Sequence, residues 1–101
     1  MPLYIKGYMI DPEKILAQFP RKPEDMDDEF YEISYYSFIV DNIPRLAYKY
    51  LASGRDSGGD SVLVFVLEHG YDRKTLEGIT VTPDGFPRPS LRLLTLGIWE
   101  Y

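Results

Sequence analysis

The sequence predicts an α+β domain in which helices pack on one face of a small, mostly antiparallel sheet of about four strands. Three observations carry that expectation. The run Ser61-Val62-Leu63-Val64-Phe65-Val66-Leu67 is apolar and β-branched without a polar alternation, as a central strand covered on both faces would be. Apolar residues at helical spacing fill much of the chain before it, while Gly, Pro and Asp punctuate the chain after it. At 101 residues the chain has room for one core, so residues 1–101 are expected to form a single domain.

In residues 3–10, Leu3, Ile5 and Met9 alternate with Tyr4, Lys6 and Tyr8, which reads as a first strand with Gly7 marking a bulge or close approach. Asp11-Pro12-Glu13 then offers an N-cap, a proline at the first helical position and a first-turn acid. Ile15, Leu16 and Phe19 supply the apolar side of a short helix that Pro20 ends. Residues 20–29 form an acidic, proline-containing connection.

Residues 30–40 support two readings. Tyr31, Ile33 and Tyr35 alternate with Glu32, Ser34 and Tyr36, as in a strand. Tyr31, Tyr35, Phe38 and Asn42 also recur at helical spacing, and the acids ahead of Phe30 favour a helix N-terminus. A helix over 27–40 is the reading adopted.

Asp41 or Asn42 can cap a further helix running through Ala52, with Pro44 in its first turn, an apolar stripe of Ile43, Leu46, Ala47, Tyr50 and Leu51, and Ser53-Gly54 as its stop. Residues 53–61 are expected to be a flexible Gly/Ser/Asp loop. Beyond the buried strand come a turn or single helical turn at 74–78, a short strand at 79–82, a Pro83-Asp84-Gly85 turn and a last strand at 91–99. The expected order is β-α-α-α-β-β-β, with 30–40 left open to a strand.

Composition excludes several chemistries. Without cysteine there is neither a disulfide nor thiolate chemistry, and one histidine leaves only carboxylates to complete a zinc site. No cofactor is expected. No stretch approaches the roughly 18 apolar residues of a membrane helix, and the first residues lack a basic region followed by an apolar run. No membrane association and a cytoplasmic location are therefore expected.

The formal charge of −5 is concentrated in one place. Glu24, Asp25, Asp27, Asp28, Glu29 and Glu32 lie within nine positions with no base among them, and elsewhere ten acids face eleven bases. Such a patch attracts a basic protein surface and repels nucleic acid, for which Arg21-Lys22 and Arg73-Lys74 are too small a basic counterweight. A solvated loop whose acids cap the next helix is the plainer account. Five tyrosines, Tyr31, Tyr35, Tyr36, Tyr48 and Tyr50, follow the acids, and two helices cannot bury every ring. Tyr36 and Tyr48 are expected to be left for solvent or a partner.

The candidate catalytic residues are His69, Tyr71 and Arg73, at the end of the buried strand. There His69 would act as general base, oriented by Glu68 or Asp72, with Arg73 holding an anionic substrate. Against this, successive residues of an extended strand point to opposite faces, and no nucleophile motif accompanies the histidine. The 53–61 segment lacks the Lys-Ser/Thr pair of a phosphate loop and the ligand ladder of a calcium loop.

The leading expectation is a non-enzymatic protein–protein interaction module, regulator- or inhibitor-like. It would meet a basic protein surface through Asp25, Asp27, Asp28, Glu29, Glu32, Tyr36 and Tyr48. The alternatives are a small-ligand or enzymatic domain with His69 at a pocket mouth, and a subunit of a homo-oligomer or larger assembly with Trp99 and Tyr101 at its seam.

Overall fold

The computed structural model describes residues 2–18 and 28–101, and for residues 28–34 it describes the backbone alone. The first strand, β1 (Tyr4–Ile10), leads into helix α1 (Pro12–Gln18). A longer helix, α2 (Asp28–Asn42), is followed by a single 3-10 turn at Arg45–Ala47. The hairpin β2 (Tyr50–Arg55) and β3 (Ser61–Gly70) comes next, then short helices α3 (Arg73–Gly78) and α4 (Arg88–Leu91), and finally β4 (Leu94–Glu100). The architecture is a small antiparallel four-stranded sheet with a few helices, broadly α+β as expected.

Strand β3 lies between β1 and β2, and β1 lies between β3 and β4. Every neighbouring pair is antiparallel. The ring β1-β3-β2-β4 closes through a single rung, Arg55 opposite Glu100, so it is a curled sheet pinned at one corner rather than a barrel sealed along its length.

Alternate residues of β3 serve two apolar clusters, which is why its sequence shows no polar alternation. Phe65 belongs to the cluster that gathers Ile10, Ile15, Ile39, Ile43, Phe86 and Leu93, bringing α1 and α2 onto the sheet. Val64 and Val66 face the other way and join Ile5 and Ala52, with Trp99 and Tyr50 packed alongside. All three central residues are fully buried. Trp99 allows the sheet to curl. Its ring lies over Gly97, and its Cβ is 2.8 Å from where a Cβ on Gly54 would sit, so the seam tolerates only glycine at that point.

The register slips between Lys6 and Gly7, where Lys6 faces Glu68 but Gly7 faces Val66. Leu67 is the extra residue of a bulge. Gly7 is required there because a Cβ would stand 2.0 Å from the Phe65 carbonyl oxygen.

Helix α1 begins as its sequence proposes. The Asp11 carboxylate accepts from the Glu13 N–H (3.0 Å) and from the Thr95 hydroxyl (2.7 Å), so the cap also ties the helix to β4. The reading of 27–40 as helix agrees with α2.

Four expectations need correction. The helix through Ala52 does not form: Pro44 is extended, only Arg45–Ala47 turns, and Tyr50–Arg55 is strand. The supposed core residue Leu46 is 99% exposed, because pairing of β2 with β3 claims Tyr50 and Leu51 for the sheet. The loop at 53–61 therefore shrinks to a turn closed by the Asp56 side chain, which accepts from the Gly58 and Asp60 N–H groups. Residues 79–82 have no strand partner, and the Ile79 carbonyl is taken instead by the Lys6 ammonium. The last strand starts at Leu94, because Pro87 and Pro89 set up the first turn of α4 through Leu91.

Candidate functional site

The second half of α2 turns Ile39 and Ile43 into the core and leaves Phe38 58% exposed. Phe38 sits one position off the buried stripe, and the helix presents it beside α4. Phe38, Ile39, Pro87, Pro89 and Leu93 line an open, largely apolar cleft of about 290 Å³ with Asn42 and Ser90 at its edge. Asn42 is held there by donating its side-chain amide to the Phe38 carbonyl, one turn back (2.7 Å). The two prolines make the opposite wall stiff, since their rings fix the backbone and leave few rotamers to freeze.

The same helix starts with the second part of the acidic segment. Asp28, Glu29 and Glu32 occupy its first two turns, described as backbone alone. Asp25 and Asp27, with Glu24, lie outside the described residues. Acids at a helix N-terminus complement the helix dipole, so part of their role is local.

Of the two tyrosines expected to face outward, both are half-buried and pack against the main cluster. The Tyr48 ring meets Phe65 edge-on at 4.8 Å, while the Arg45 guanidinium lies 5.1 Å from its centre. Phe38 is the aromatic residue of α2 that projects instead. Sequence reasoning placed Phe38 on a helical series with Tyr31 and Tyr35; the signal that could have singled it out is its offset from Ile39, Ile43 and Tyr36.

The candidates His69, Tyr71 and Arg73 are not brought together around a cavity. Strand β3 continues to Gly70, so His69 is an exposed strand residue, paired with Ile5 on the face that also carries Val64 and Val66. Its ring is 5.9 Å from that of Tyr50. Tyr71 is 66% exposed, and Arg73 forms an ion pair with Glu77 one turn along α3 (3.5 Å). Asp72 is occupied as the α3 cap, accepting from the Lys74 N–H and the Thr75 hydroxyl.

Glu68 projects to the face opposite His69 and pairs with Lys49 at 3.2 Å. The Lys49 hydrogen bond, followed by the His69 N–H, holds its carboxyl below the usual glutamate range. Burial, then the nearby Tyr101, pushes the Tyr50 phenol above its ordinary value. Glu68 also borders a polar cleft of about 310 Å³ walled by Ala47, Leu67, Ile79, Val81 and Asp84, with no second acid–base partner on its rim.

Among the described residues, no group of three or more His, Cys, Asp or Glu is placed to hold a metal ion. Among the same residues no helix is long and apolar enough to cross a membrane. Comparisons with known protein families, with curated proteins and with solved structures find no match to this chain.

Proposed function

We propose that this domain is a non-enzymatic interaction module that uses α2 to receive a basic segment of a partner protein. The observation that carries the reading is the cleft in which exposed Phe38 stands beside Pro87, Pro89 and Leu93, on the helix whose first turns hold Asp28, Glu29 and Glu32. An apolar slot at one end of a helix and uncompensated acids at the other fit a ligand with an apolar anchor and cationic residues about two to three helical turns away. Aromatic and proline walls lose little entropy on binding, so the slot would supply affinity while the acids set the encounter rate. Regulators and inhibitors commonly need no more chemistry than this.

The test uses the whole chain as bait in extract of its native cells, in three forms: wild type, Asp27→Lys/Asp28→Lys, and Phe38→Ala. One protein should be retained by the wild type and weakened in both variants. Charge reversal should slow association and remove much of the salt dependence, whereas Phe38→Ala should chiefly speed dissociation. A partner retained equally by all three forms, with affinity independent of salt, would overturn the proposal.

A further inference from the structure

The β4 strand has an outer edge that the fold leaves only partly covered. Its hydrogen-bonding phase follows from the Tyr101 N–H donating to the Leu3 carbonyl (2.8 Å) and the Asp11 N–H donating to the Leu93 carbonyl (3.0 Å). Residues 95, 97, 99 and 101 therefore bond to β1, and residues 94, 96, 98 and 100 turn their N–H and C=O groups outward. At one end the Leu94 carbonyl accepts from the Lys14 ammonium (2.7 Å). At the other, Glu100 is paired with Arg55. Leu96 and Ile98 lie between these stops, and among the described residues no second strand flanks β4 there.

Edges of this kind are normally guarded by a lysine, a proline, a bulge or an inward charge. The stretch Leu94-Thr95-Leu96-Gly97-Ile98-Trp99 has none of these residues, its register with β1 is uninterrupted, and Leu96 is 47% exposed.

We infer that this edge pairs with the same edge of a second copy of the chain, antiparallel about a two-fold axis at Gly97. The pairing is self-complementary. Leu96 falls opposite Ile98 of the second copy and Ile98 opposite its Leu96, which satisfies the four free N–H and four-way apolar contacts of the two edges together. Position 94 falls opposite position 100 of the second copy. Each end then sets the Lys14 ammonium, on the Leu94 carbonyl, against an exposed Glu100 carboxylate. That match of cation to anion, present twice by symmetry, favours a second copy over an unrelated strand. Residues 24–32 take no part, so the inference stands apart from the proposal for α2.

Sedimentation equilibrium from micromolar to millimolar concentration reads the association directly. The wild type should pass from one chain mass to two. Leu96→Lys should raise the half-association concentration about tenfold or more, since it loses an apolar cross-strand pair on each side of the axis. Leu46→Lys, at a fully exposed site on the 3-10 turn, should leave it unchanged. Hydrogen exchange on the wild type gives a second readout that needs no variant. The Leu96 and Ile98 amides should gain protection with concentration, while the Gly97 amide, already bonded to β1, should not. A chain that stays monomeric throughout, or that associates without protecting those two amides, overturns the inference, as does equal weakening by Leu46→Lys.

Discussion

At the scale of single residues, the fold depends most sharply on Gly7. Its missing side chain lets the Phe65 carbonyl pass within 2.0 Å of the place a Cβ would occupy, and the atoms in the way are main chain, which cannot rotate aside. Gly7→Ala should therefore displace β1 from β3 and cost about 3 kcal/mol or prevent folding. Gly78, at the end of α3, has nothing within 4 Å of its Cβ position and no positive φ, so Gly78→Ala is the matched control and should be neutral or slightly stabilising. Urea unfolding of both variants checks the contrast, and equal midpoints would show that the close approach is not real. Gly7 was legible in the sequence as a bulge or close approach because an isolated glycine within an alternating strand has few other reasons to be there. His69 was misplaced for the opposite reason. Its neighbours, Ile5 and Tyr50, come from strands far away in the chain, and no local pattern announces them.

Elements whose limits are written locally matched their sequence reading, and those set by distant partners did not. Asp11-Pro12 starts α1 by its own chemistry, and β3 is apolar enough to be central in any arrangement. By contrast, residues 46–51 satisfy a helical period and a strand period equally, and pairing with β3 decides between them. Helix α3 shows how far such long-range control extends. Lys6, 9% exposed on β1, sends its ammonium to the Leu76 and Ile79 carbonyls at the end of α3, 70 and 73 positions away in sequence. A cation there satisfies carbonyls that the short helix leaves open and complements its C-terminal dipole. Lys6→Met keeps the apolar stem but leaves those carbonyls without their donor, which should cost about 1–3 kcal/mol. The loss should be local first. Hydrogen exchange should quicken at residues 76–79 before it does in β1, and a uniform change along the chain would show that Lys6 does not clamp α3.

For the whole molecule, the question is whether two apolar clusters on opposite faces of one sheet behave as one core. The first holds the helices through Ile15, Ile39, Ile43 and Phe65; the second holds the curl of the sheet through Ile5, Val64, Val66 and Trp99. They meet only through the strands, where Val64, Phe65 and Val66 are consecutive and fully buried. Neither side of the sheet can lose its cover without exposing the backbone that the other needs, so the clusters should unfold together. The single tryptophan makes this measurable: Trp99 reports the second cluster by fluorescence, while far-ultraviolet circular dichroism reports the helices on the first. In urea, at concentrations too low for association, the two signals should share one midpoint. Phe65→Ala should lower both by the same amount, about 3–5 kcal/mol, although Phe65 faces away from Trp99. If the helical signal fell first while tryptophan fluorescence held its wild-type midpoint, the sheet would be stable without its helices and α2 would be an attachment to it. A shared shift instead makes the α2 cleft and the β4 edge two surfaces of one cooperative body.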